Sequence, residues 1–138
     1  MQPAKPLLVL TPAMEDYLEA IYYLEQERRV ARVRDIANRL GVKMSSVTCA
    51  LKNLGARELI QYDPHQFVTL TDSGISQAKE IVRKHEALKR FFVRVLQMEE
   101  EVAEGNACRI EHHLDSEVIE KLNRLVEFIL SLEAVANP

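Results

Sequence analysis

Between residues 12 and 70 the spacing of apolar side chains changes from a helical to a strand period, and the order of those segments excludes most folds. Thr11-Pro12 reads as an N-cap followed by proline at the first helical position. Met14, Tyr17, Leu18, Ile21 and Leu24 then recur at helical spacing, predicting a helix over about 12–27. Val33, Ile36, Ala37 and Leu40 mark a second, short helix stopped by Gly41. A third, over about 44–57, keeps Val47, Ala50, Leu51 and Leu54 on one side and Ser45, Ser46, Thr48, Cys49, Lys52 and Asn53 on the other. Leu59-Ile60-Gln61-Tyr62 and Phe67-Val68-Thr69-Leu70 then flank Asp63-Pro64-His65-Gln66, the pattern of two strands and a turn. Helix, helix, turn, helix and hairpin in this order predict a winged helix-turn-helix, whose third helix enters the DNA major groove.

The rest of the chain is helical in pattern. A long helix is expected from Thr71-Asp72 to about Leu96, with Ile75, Ala78, Val82, His85, Leu88, Phe92 and Val95 on its inner stripe. Another runs from about Glu99 to Leu114. Asp115 caps a last one, which shows Val118, Leu122, Leu125, Val126, Ile129 and Leu132. So continuous an apolar stripe needs a partner surface, and a second copy of the chain supplies one. The expected fold is mainly α with one small β-hairpin. A DNA-binding domain over 1–72 is joined to a helical metal-binding and dimerisation domain over 73–138.

The 138 residues carry a formal net charge of −3, an unpromising sum for a partner of nucleic acid until it is resolved by position. Residues 28–57 hold Arg28, Arg29, Arg32, Arg34, Arg39, Lys43, Lys52 and Arg57 against Asp35 alone, a local charge of +7. The remaining 108 residues therefore carry −10. A basic face for phosphates stands beside an acidic region suited to a cation. No apolar run approaches the roughly 20 residues that span a bilayer, and Pro3 to Leu10 is too short and weakly charged for a signal peptide. A cytoplasmic protein with no membrane partner is expected. Its two cysteines, Cys49 and Cys108, fall in separate helices and read as reduced thiols.

Three groups of potential metal ligands stand out. Asp16 and Glu19 are three apart on helix 1, His85 lies on the inner stripe of helix 4, and Cys108, Glu111 and His112 follow at i, i+3 and i+4. Three helices offering nitrogen, oxygen and sulfur donors can enclose one octahedral ion, or two bridged by carboxylates. Carboxylates and imidazole suit Mn(II) and Fe(II), whereas a thiolate favours the softer Fe(II), Co(II) and Zn(II). His113 points about 100 degrees away from His112 and Glu15 is similarly turned from Asp16, so neither is counted in the site. Cys49 reads as a small residue tolerated beside DNA.

The runs Thr11-Pro12-Ala13-Met14-Glu15-Asp16-Tyr17-Leu18-Glu19-Ala20-Ile21-Tyr22, Ser45-Ser46-Val47-Thr48, Leu70-Thr71-Asp72-Ser73-Gly74, Arg83-Lys84-His85-Glu86 and Ala107-Cys108-Arg109-Ile110-Glu111-His112-His113-Leu114 resemble the diphtheria toxin repressor family. The resemblance covers about residues 11–133 and at this length is closer to the short manganese-transport-regulator branch, which lacks an SH3-like domain. It implies a primary metal site at Asp16, Glu19, His85, Cys108, Glu111 and His112. Asp16 follows the manganese type, where the iron type has Met; Cys108 follows the iron type, where the manganese type has Glu. The second site of the iron type takes a carboxylate at position 89 and a histidine at 104. Lys89 and Glu104 stand there instead, so that site is not expected.

These readings converge on a metal-dependent repressor that takes Fe(II) or Mn(II) as corepressor, with Co(II), Ni(II) or Zn(II) able to substitute, and controls metal-homeostasis genes. It is expected to be a homodimer on double-stranded operator DNA, with no small organic substrate. Arg28, Arg29, Arg32, Arg34, Lys52 and the wing would hold phosphates, and Ser45, Ser46, Thr48 and Lys52 would reach base edges. The alternative is a winged-helix regulator without metal that senses oxidants through Cys108. An enzyme using Cys108 and His112 is disfavoured, because no oxyanion or substrate loop accompanies them.

Overall fold

The computed structural model describes residues 10–28, 30–63 and 67–136. The chain divides into two compact units, Met1–Glu80 and Ile81–Pro138. Arg29 and residues 64–66, read from the sequence as part of a turn, lie outside the described residues.

In the first unit, α1 (Pro12–Arg28), α2 (Val33–Leu40) and α3 (Met44–Ala56) precede the strands β1 (Ile60–Tyr62) and β2 (Val68–Leu70). The start of α1 is capped as its sequence predicts, with Met14 N donating to Thr11 Oγ1 at 3.2 Å. Gly41 ends α2 in the left-handed conformation at φ 66°, a geometry that glycine reaches without steric cost. No side chain caps α3, whose first N–H groups follow Lys43 directly. Leu18, Ile21, Ile36, Val47, Leu51 and Leu54 are fully buried and bring the inner faces of the three helices into one core. Each such side chain stabilises the fold by roughly 1.5–3 kcal/mol relative to exposure.

The hairpin is antiparallel, pairing Ile60 with Leu70, Gln61 with Thr69 and Tyr62 with Val68. Ala31 adds a bridge on the other side of Val68, exchanging hydrogen bonds of 3.3 and 2.7 Å. Leu70 N donates to the Glu25 carboxylate at 3.3 Å, tying β2 to α1. Partial burial pushes that carboxyl above its usual range, and the backbone hydrogen bond pulls the other way.

Helix α4 (Asp72–Arg90) begins in the first unit and continues into the second. Thr71 caps it, accepting from Gly74 N at 3.1 Å and donating to Glu58 O at 2.7 Å. The expected helix to Leu96 is regular only as far as Arg90; Phe91–Val95 form a π-helical turn closed by Leu96 N donating to Phe91 O at 3.2 Å. Phe91, Phe92 and Val93 are consecutive and all half-buried, which a regular turn with one inward stripe does not accommodate. Next come α5 (Glu100–Ile110), a 3-10 turn at Glu111–His113, and α6 (Ser116–Ala136). Ala87, Leu88, Ala107 and Ile119 form the core of this unit, with Phe92, Leu114 and Leu122 packed against it.

The terminal stripe read from the sequence is in fact two faces. Ile119 and Val126 are buried, whereas Val118, Leu125, Phe128 and Leu132 are exposed. No helix among the described residues is long and apolar enough to cross a membrane.

At Gly74, in the first turn of α4, a Cβ would lie 1.9 Å from the carbonyl oxygen of Leu59. Gly74→Ala is expected to lower stability by about 1–3 kcal/mol, because the obstacle is backbone and cannot rotate away. At Gly55, in α3, a Cβ meets nothing within 4 Å. Gly55→Ala should raise stability by about 0.5–1 kcal/mol. Urea denaturation followed by circular dichroism measures both, and equal midpoints for the two variants would refute the packing argument.

Candidate metal centre

The second unit gathers three potential ligands from two helices and the turn between α5 and α6. His85 projects from α4 and is 5% exposed; Glu111, in the 3-10 turn, is 1% exposed; Cys108 lies in the last turn of α5, is exposed and forms no disulfide. One ligand atom from each lies within 4.8 Å of the others. Nitrogen, sulfur and oxygen are thus already convergent. His112 stands beside them, its ring nitrogen Nε2 3.5 Å from Glu111 Oε1.

The helix expected to reach Leu114 ends at Ile110, so Glu111 and His112 do not continue the helical face that carries Cys108. The tighter turn has a local anchor, because Lys84 Nζ donates to Leu114 O at 2.8 Å. Its consequence is to take Glu111 inside: Glu111 Oε2 sits 2.6 Å from His85 Nδ1. The other oxygen, Oε1, is buried and makes no hydrogen bond. A buried carboxylate oxygen without a donor is costly, and a cation supplies what it lacks. The donor set and this atom fit a divalent transition metal.

His85 has a second carboxylate partner. Glu104 Oε2 contacts its Nε2, and Glu104 Oε1 lies 3.4 Å from Lys89 Nζ. Positions 89 and 104, which the resemblance marks as a second metal site, therefore hold an ion pair. Glu104 is not evident from the sequence as part of a metal site. Its spacing of four from Cys108, on the same helix face, is the signal that could have found it.

In the first unit, Asp16 and Glu19 share one face of α1, Asp16 half-buried and Glu19 8% exposed. His113 and Glu15, not expected as ligands, are exposed and half-buried respectively.

The basic residues divide by their partners. Arg28 pairs with Asp35 at 3.1 Å, and the Arg32 guanidinium stacks over the Phe67 ring at 5.4 Å from its centroid. Arg34, Ser45, Ser46, Cys49 and Lys52 are exposed. Thr48 is half-buried and its hydroxyl donates to Met44 O at 3.1 Å. Arg29 lies outside the described residues.

Residues 9–68 match the N-terminal DNA binding domain of the iron dependent repressors, and residues 71–131 match the metal binding and dimerisation domain of the same proteins. An HTH-type transcriptional regulator of Methanocaldococcus jannaschii is 36% identical over 119 residues, 86% of this chain and 95% of that protein. The HTH-type transcriptional regulator MntR of Bacillus subtilis is 39% identical over 118 residues, 86% of this chain and 82% of that protein. Among solved structures, a manganese-dependent transcriptional repressor in complex with manganese is 27% identical with a TM-score of 0.76, covering 83% of this chain and 53% of that one. IdeR of T. acidophilum is 25% identical with a TM-score of 0.71, covering 88% of this chain and 54% of that one. The chain thus spans about half the length of these two solved chains.

Thiolate ligation has a direct optical signature. Protein loaded with Co(II) is expected to show an intense near-ultraviolet charge-transfer band from Cys108, which Cys108→Glu abolishes while shifting preference towards Mn(II). Absence of the band in the wild-type protein, or its survival in the variant, would remove Cys108 from the ligand set.

Proposed function

Since the chain belongs to the iron-dependent repressor family, matching both of its domains, we propose that it represses metal-homeostasis genes in the cytoplasm with Fe(II) or Mn(II) as corepressor. Members of this family are transcriptional regulators, not enzymes. The observation that carries the reading is the buried His85–Glu111 pair beside Cys108, inside a unit that matches a metal binding and dimerisation domain.

The proposed ligands are Asp16, Glu19, His85, Cys108, Glu111 and His112. Their carboxylates suit one ion or a bridged pair. A bound cation supplies positive charge, which offsets the mutual repulsion of Asp16, Glu19 and Glu111. These side chains belong to two units of the chain. Their joint ligation selects arrangements in which the DNA-binding unit is held on its dimer, raising the population that fits successive major grooves. The thiolate of Cys108 tilts the preference from Mn(II) towards Fe(II).

Dimerisation through α6 is supported by Val118, Leu125 and Leu132, exposed at intervals of seven on one outward strip. For DNA, Arg28, Arg29, Arg32 and Arg34 serve the phosphates. Ser45, Ser46, Thr48 and Lys52 of α3 serve the bases, Lys52 reaching phosphate as well. The Thr48 hydroxyl hydrogen is engaged by Met44 O, which leaves its oxygen to accept from a base.

Two measurements test this. Metal-loaded dimer should bind a palindromic operator at least about tenfold more tightly than protein treated with EDTA, within the usual range of allosteric coupling. Equal affinity by fluorescence anisotropy would refute the corepressor role. Separately, Lys52→Ala should weaken operator binding and lower the slope of log affinity against log salt by about one, with metal affinity unchanged. An unchanged slope and affinity would move the recognition surface away from α3.

A further inference from the structure

The imidazole of His85 is held at both nitrogens by carboxylates of different standing. Glu111, 1% exposed, faces Nδ1 at 2.6 Å, and a ring nitrogen of His85 lies within 4.8 Å of ligand atoms of Cys108 and Glu111. Glu104 contacts Nε2. The two ring nitrogens point in different directions, so one ion cannot take both. Within the second unit, ligand atoms of His85, Cys108 and Glu111 converge, and Glu104 does not belong to that group. Glu104 is also 48% exposed at its side chain, with its second oxygen 3.4 Å from Lys89 Nζ. Lys89 stands one helical turn beyond His85 on α4, and Glu104 one turn before Cys108 on α5.

We propose that Glu104 is a positioning residue for the metal centre: held by Lys89, it accepts the Nε2 proton of His85 and so presents Nδ1 to the ion. The physical reason is that a neutral imidazole carries one proton, and a carboxylate acceptor on one nitrogen keeps the lone pair on the other. The same hydrogen bond fixes the ring plane and makes the ligating nitrogen more basic. Lys89 limits the freedom of a side chain that is otherwise half in solvent. The ion pair that replaces a second metal site thereby serves the first one. This inference rests on the metal-dependent reading above.

The test compares Glu104→Ala and Glu104→Gln. A glutamine carbonyl still accepts from Nε2–H, whereas alanine cannot. Mn(II) affinity, measured by competition with a chromophoric chelator, is expected to fall about tenfold or more in Glu104→Ala and to stay within about threefold of wild type in Glu104→Gln. In the Zn(II)-loaded protein, nitrogen-15 spectra should show His85 protonated at Nε2 with a slowly exchanging proton. Glu104→Ala should lose that slow exchange while its circular dichroism is retained. Equal affinities in all three proteins, or a His85 proton on Nδ1, would overturn the proposal. An equal large loss in both variants would also overturn it, since it would make Glu104 a ligand. A wild-type protein that binds neither ion would instead defeat the metal reading itself.

Discussion

The second unit is organised around a carboxylate and an imidazole taken out of water together. Glu111 and His85 are 2.6 Å apart and almost wholly buried. Burying either one alone would cost several kcal/mol, and removing one partner of a buried pair typically costs about 3–5 kcal/mol. The pair also constrains the backbone. Glu111 reaches His85 because α5 stops at Ile110 and the chain tightens into a 3-10 turn, with Lys84 fastened to the carbonyl of Leu114. Ala107, one turn before Glu111, is fully buried against Ala87, Leu88 and Ile119, so apolar packing and polar pairing fix the approach of α5 to α4 together. Stability alone does not account for the arrangement, because Glu111 Oε1 remains buried without a hydrogen bond. A polar atom left in this condition calls for a reason beyond packing.

The first unit solves a different problem, that of presenting cations without losing them to internal partners. Arg28 and Arg39 are engaged by Asp35 and Glu27, and Arg32 by the face of Phe67. Such exposed pairs contribute at most about 1 kcal/mol each, so they exchange for other partners at small cost. The outer face of α3 is small and polar, with Ser45, Ser46 and Lys52 exposed over a core of Val47, Leu51 and Leu54. The helix is thereby divided into an inner face that fixes its attitude and an outer face left to solvent.

Much of this was legible before any coordinates. The winged order was visible because the second and third helices of the first unit are clearly bounded: the 3.6-residue stripe of α2 ends at Gly41, and the period changes at Leu59. His85, Cys108, Glu111 and His112 were legible as donors by residue type alone. What the pattern could not show was that Glu111 leaves the helix, because a 3-10 turn and an α-helical turn share nearly the same local sequence preferences and packing chooses between them. The π turn at Phe91–Val95 escaped for the same reason. On α6, Leu125 and Val126 are adjacent and equally apolar, so spacing alone merged the inner and outer faces into one stripe.

By itself, the sequence determined the order of the elements, the concentration of positive charge over residues 28–57, and the stock of nitrogen, oxygen and sulfur donors. Each of these is a property of local periodicity or of residue type. Tertiary structure decided which donors meet and in what role. Glu104 and Lys89 are ordinary charged residues along the chain. Only the packing of α5 against the end of α4 brings one carboxylate oxygen to His85 and the other to Lys89. The physical reason is range: helix propensity and hydrophobic spacing act within a few residues, whereas an ion pair across fifteen residues of sequence exists only once two helices have been fixed against each other.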